Sequence, residues 1–198
     1  MDLDPAALDR LGRYRLMTAA IVPRPIAWIS TMSADGRPNL APFSFFGAVS
    51  SEPPIVSLSV GRRRGQKKDT AQNLLATGEG VLHLVSSSLA RAMVATSAEV
   101  GPEVDEFQLA GLSKAPARQV KPWRIAGAPL ALEARVLSHQ EVGRGPVDLF
   151  LLELVWVHLD ESILSDGLPD PVKLEPTARL GGQLYATIRE VFEIPRPE

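Results

Sequence analysis

The chain has 198 residues, 45% hydrophobic and 22% charged, with a formal net charge of −2. That balance fits one soluble globular domain over residues 1–198, and the near-neutral total argues against a general nucleic-acid binder. The absence of cysteine excludes disulfides, thiolate nucleophiles, iron–sulfur clusters and cysteine-based zinc sites, and His83, His139 and His158 show no ligand spacing.

Asp4-Pro5 suits an N-cap and first helical position, with a short helix carrying Leu8 and Leu11. Ile26 to Met32 reads as a strand, and Asp35-Gly36 as the turn after it, because that pair tolerates positive φ. A second strand is predicted from Asn39 towards Ser50. Pro42 within it removes a ladder donor, so the strand must be irregular or at an edge. Ser51-Glu52-Pro53-Pro54 breaks the chain. A third strand, Ile55 to Val60, alternates Val56, Leu58 and Val60 against Ile55, Ser57 and Ser59. Next comes a loop with five cations in seven residues, Arg62-Arg63-Arg64-Gly65-Gln66-Lys67-Lys68, and then a helix to about Thr77, stopped by Gly78. Asp69 is read as a structural cap of that helix.

Val81 to Val85 reads as a short strand holding His83. Ser88 is expected to cap a helix with Leu89, Ala92 and Met93 on one side. Asp105-Glu106-Phe107 starts a short helix that ends at Gly111. Leu130 to Val142 and Asp148 to Leu159 form a long hairpin. The second of these strands is apolar on both faces, so two covers are required. These elements predict a mainly β fold: a split antiparallel, Greek-key β-barrel of about six strands with short inserted helices.

A strand that feeds a basic loop and then a helix start makes a phosphate seat. The first N–H groups of the helix are unpaired and partly positive, and Lys, Arg and hydroxyl donors reinforce them. No Gly-x-Gly-x-x-Gly or Walker loop is present, so dinucleotide-fold and P-loop readings fail.

Several segments together resemble the flavin reductase-like family. They are Pro23-Arg24-Pro25-Ile26-Ala27-Trp28-Ile29-Ser30-Thr31, Asp35-Gly36, Asn39-Leu40-Ala41-Pro42-Phe43-Ser44-Phe45-Phe46 and Ser51-Glu52-Pro53-Pro54. Lys68-Asp69-Thr70 with Asn73, Asp105-Glu106-Phe107 with Ala110-Gly111-Leu112, and Arg179-Leu180-Gly181-Gly182 with Tyr185 follow in the same order. The resemblance implies an FMN-binding split barrel whose flavin lies at a homodimer interface. The isoalloxazine would lie along Asn39, Ala41, Pro42 and Ser44, near Ser30 and Thr31. The ribityl chain would meet Ser57 and Ser59. The phosphate would meet Lys68 and Thr70, with Arg62 and Arg24 as further partners. The implied activity is flavin reduction by NADH or NADPH, with a partner monooxygenase as one destination for reduced flavin. The competing reading is a flavin-binding or electron-carrying module with no nicotinamide site of its own. A nucleic-acid role for the basic loop ranks below both, because no wide basic face or interleaved aromatics accompany it. No apolar run is long enough for a membrane span, and the start lacks a secretion signal, so a cytoplasmic location is expected.

Overall fold

Alternation in the third predicted strand does what its period requires: Val56, Leu58 and Val60 are buried, while Ser57 and Ser59 stay half-buried on the other face. The computed structural model describes residues 2–197. Its frame is a seven-stranded, wholly antiparallel sheet. The strands are β1 (Ala27–Met32), β2 (Pro38–Phe43), β3 (Phe46–Ser51), β4 (Pro54–Gly61), β5 (Glu79–Leu84), β6 (Leu130–Val142) and β7 (Val147–Leu159), in spatial order β2-β1-β5-β6-β7-β4-β3.

The two edge strands, β2 and β3, are consecutive in the chain and joined only by Ser44 and Phe45. The sheet must therefore curl until its edges meet at that corner. They form no ladder with each other, so the expected barrel stays open along this seam. The single strand expected from Asn39 to Ser50 is thus two strands around a corner, and Pro42 does lie on an edge.

Helices α1 (Arg10–Ala20), α2 (Asp69–Thr77), α3 (Ala90–Ala95) and α4 (Glu106–Leu109) cover parts of this frame. The main core joins Ile29, Leu58, Val60, Leu82, Phe150 and Leu152 of the sheet to Ala71 and Leu74 of α2. A second cluster, around Trp28, Leu40, Met93 and Phe107, packs α3 and α4 against the outside of β1 and β2. Helix α2 ends as predicted, with Gly78 in the left-handed conformation at φ 72°. Two expected caps differ. Lys68, not Asp69, is the N-cap of α2, and it makes no side-chain capping bond. Ser88 bonds Ser86 Oγ at 3.0 Å, and a 3-10 turn, Ser87–Leu89, precedes α3.

His83 is a satisfied core histidine. Its Nδ1–H donates to the Trp28 carbonyl at 3.0 Å, and its Nε2 accepts from the Ile125 N–H at 2.9 Å. Burial pushes its pKa down to about 4, so it is neutral at ordinary pH. His158 lies on β7 and reaches the buried Glu133 at 2.5 Å.

Candidate functional site

The strand-to-helix loop after β4 turns tightly. Arg63 and Gln66 exchange backbone bonds of 2.9 and 2.8 Å, and the two residues between them, Arg64 (φ 49°) and Gly65 (φ 82°), are left-handed, as a primed hairpin turn requires. This turn returns the chain to the start of α2, beside β2. A cavity of about 590 Å³ opens there. Its floor is Asn39, Ala41, Pro42 and Phe43 of β2, its rim is Lys68 to Thr70, and its far wall is the segment from Thr96 to Pro102 with Glu106.

The five cations of the loop are not equivalent. Arg62 grips the fully buried Asp148 of β7 through Nε at 3.1 Å and Nη2 at 3.3 Å, and reaches Glu141 at 2.5 Å. Lys67 bonds the same two carboxylates, Glu141 at 2.7 Å. His139 Nε2 also meets Asp148, at 2.9 Å. Burial alone would raise the Asp148 pKa, but the bonds from Arg62, Lys67 and His139 overcome this and hold it at about 2. Arg63 pairs with Glu99 at 2.6 Å, an exposed contact between the loop and the far wall. Lys68 has no carboxylate partner among the described residues. Its Nζ stands 5.4 Å from the centre of the Phe43 ring, and burial around the ammonium lowers its pKa, with Arg63 adding to the effect and Glu99 opposing it. The side chain as a whole remains open to solvent.

Behind the rim lies a buried polar network. Asn39 Nδ2 donates to Thr70 Oγ1 at 3.0 Å and Thr31 Oγ1 at 3.2 Å, and Asn73 Nδ2 donates to Thr31 Oγ1 at 3.0 Å. This ties the start of α2 to the edge strand. Glu106 covers the open edge of β2, its Oε2 accepting the Leu40 N–H at 3.1 Å. Its pKa is raised by burial, against the pull of that N–H, and the charges of Asp69 and Asp105 add to the rise.

Of the residues expected at the cofactor, Asn39, Ala41, Pro42, Lys68 and Thr70 line this cavity together. Thr31 stands behind them in the network. The others have different surroundings. Arg24 is buried and donates to the backbone carbonyls of Thr18 (2.6 Å), Ile21 (2.7 Å) and Leu180 (2.9 Å), so it ties the end of α1 to a C-terminal turn. Ser30 is buried and bonds the Trp123 carbonyl. Arg62 is held by Asp148 and Glu141. Ser57 donates to the Gly47 carbonyl at 3.3 Å, and Ser59 lies on the same face of β4; neither lines the cavity. Ser44 lines a smaller neighbouring cavity. Along β2, Glu106 takes the Leu40 N–H and Pro42 has none to offer. Sequence reasoning missed Glu106 as a wall residue, although its tripeptide is one of the family-like segments. It also missed the wall from Thr96 to Pro102, which carries no motif.

A sequence profile described as flavin reductase like domain matches residues 18–171. An uncharacterized protein of Halalkalibacterium halodurans is 35% identical, the match covering 100% of this chain and 97% of that one. Among solved structures, nitrilotriacetate monooxygenase component B from Bacillus cereus superposes with a TM-score of 0.94 at 30% identity, covering 98% of each chain. A protein of Shewanella frigidimarina with a split barrel domain superposes with a TM-score of 0.87 at 20% identity over the full length of both chains, a likeness of fold.

Proposed function

Because the chain belongs to the flavin reductase like family, we propose that it binds FMN and catalyses reduction of flavin by NADH or NADPH. The observation that carries the reading is the rim of the large cavity: an uncapped start of the nine-residue helix α2, an ammonium with no carboxylate partner at Lys68, and the Thr70 hydroxyl beside them. This donor set fits a phosphate dianion. A bound phosphate would supply the cap that α2 lacks and the counter-charge that Lys68 lacks. The pairing of Arg62, Arg63 and Lys67 with carboxylates also removes most of the charge that a nucleic acid would need. Beyond the phosphate, Phe43, Pro42 and Ala41 offer a flat, partly apolar wall for the isoalloxazine. When bound, FMN supplies a hydride acceptor at N5. Lys68 and Thr70 would hold the phosphate, and Ala41, Pro42 and Phe43 would set the ring against β2. The name of the Bacillus cereus neighbour supports one destination for reduced flavin, a separate monooxygenase.

Two measurements test this reading. Stripped protein titrated with FMN, FAD and riboflavin is expected to prefer FMN, and equal affinity for riboflavin would remove the phosphate seat. Anaerobic stopped-flow mixing of holoprotein with each nicotinamide is expected to bleach the flavin. Reduction by dithionite but by neither nicotinamide would leave an electron-carrying module instead.

We further propose a homodimer. A compact monomer of this mass exposes about 9,100 Å², whereas the chain exposes 12027 Å². Part of the excess is the extended tail, where Phe192 and Ile194 are exposed, and part is the second face of β7, where Leu149 and Leu151 are half-buried and Val157 is exposed. Solution mass by light scattering should equal two chains, and a monomer that retains FMN would overturn this.

A further inference from the structure

The segment Arg179-Leu180-Gly181-Gly182 with Tyr185 has no part in the phosphate seat, yet it borders a cavity of its own. Thr177–Arg179 pairs with Arg24–Pro25 on one side and Tyr185–Thr187 on the other, forming a small sheet beside the corner at Ser44. In this register Arg179 lies opposite both Arg24 and Tyr185. The two arginines differ in their commitments. Arg24 is buried and held by three backbone carbonyls. Arg179 donates to one, that of Gly182, and has no carboxylate partner among the described residues. Its guanidinium lies over the Tyr185 ring, 4.4 Å from Cζ to the ring centre, and its N–H donors other than the one to Gly182 have no protein acceptor among the described residues.

Arg179 and Tyr185 line a cavity of about 200 Å³ with Ser44. Pro42, Phe43 and Ser97 border both this cavity and the large one, so the two adjoin. Ligand pockets for drug-sized molecules start at about 300 Å³, so the smaller cavity suits a molecule the size of a single ring. A planar guanidinium prefers a carboxylate, which it meets with two parallel bonds. The surrounding Ile26, Met93 and Phe43 are apolar and suit a flat hydrocarbon body.

We propose that this cavity is a binding subsite for a small planar carboxylate, an aryl or enoyl acid, with its carboxylate on Arg179 and its body towards Phe43. The inference goes beyond the flavin reading and does not depend on it. If FMN fills the large cavity, the acid lies beside it and is placed to be a reaction partner; if not, the subsite stands by itself.

The test is calorimetric titration of the full-length protein, as purified, with benzoate and with its neutral analogue benzyl alcohol. Wild type should bind benzoate at least ten-fold more tightly. Arg179→Gln should erase that preference by weakening benzoate alone, and Arg179→Lys, which keeps the charge but not the fork, should recover only part of it. Equal binding of the two compounds by wild type, or an unchanged benzoate affinity in Arg179→Gln, would overturn the proposal. Should Arg179→Gln fail to fold, Tyr185→Ala decides instead: removing the ring beside the guanidinium should weaken benzoate several-fold, and no change would overturn the subsite. Whether the wild type takes up FMN is scored separately, so failure of either reading is visible without the other.

Discussion

Replacing Lys68 with alanine is expected to weaken FMN binding by roughly 10- to 100-fold, the size of one charge-assisted hydrogen bond of about 1.5–3 kcal/mol. The reason is selection among five neighbouring cations. Arg62 and Lys67 are bound to Asp148 and Glu141, and Arg63 is bound to Glu99. An incoming phosphate would have to break those pairs to use them. Lys68 has no carboxylate to leave, and its ammonium already bears a desolvation cost that an anion relieves. Arg64 stands at the tip of the turn, exposed, so Arg64→Ala should change affinity by no more than about two-fold, in line with exposed charges. Thr70→Ala should fall between them. It removes a rim hydroxyl but also leaves Asn39 Nδ2 without its partner at 3.0 Å. Fluorescence titration of each stripped variant with FMN and riboflavin separates the causes. The Lys68→Ala loss must be seen with FMN and be absent with riboflavin; equal losses would mean that the lysine acts on the cavity and not on the phosphate.

The distinction between these cations marks where the sequence stops being informative. The strand–loop–helix order, the Gly78 stop, the long hairpin and the edge position of Pro42 all follow from local periodicity and turn chemistry, and the structure has them. The structure also brings Asn39, Ala41 and Pro42 to one cavity with Lys68 and Thr70, residues that the family resemblance, not periodicity, had put together. The partners of the loop cations leave no local trace, because Asp148 lies 86 residues from Arg62 and Glu141 lies 74 from Lys67. Two strand pairings bring them together: β7 with β4, which sets Asp148 opposite Val60, and β7 with β6, which sets it opposite Glu141. The partners of Arg24, the carbonyls of Thr18, Ile21 and Leu180, are hidden for a related reason. A buried arginine between two prolines looks the same in sequence whether it meets a phosphate or three carbonyls. The break at Ser44-Phe45 carries no turn signature, because the run from Leu40 to Phe46 holds no Gly, Asn or Asp.

Asp148→Asn, on β7, is expected to cost more stability than any single change in the basic loop it anchors. Asp148 is the fully buried acceptor for Arg62, Lys67 and His139, and asparagine keeps its shape while removing its charge. Breaking a buried pair in this way costs about 3–5 kcal/mol. The lower end applies here because Arg62 and Lys67 keep some solvent contact, so the melting temperature should fall by about 6–12 °C. The pH dependence gives a second, independent signature. The native pKa of about 2 lies below the ordinary value of 3.8. The carboxylate therefore contributes its full stability above the unfolded value, and loses it as pH falls through the interval from 3.8 towards 2. Thermal melts of wild type and variant should differ by a constant gap at neutral and mildly acidic pH, and the gap should close as pH approaches 2. A gap that persists unchanged to that pH would mean that packing at the Asn side chain, and not the lost charge, destabilises the variant. A gap near zero at pH 7 would mean that Glu141 alone can hold the two cations, so that the buried carboxylate is dispensable to the fold.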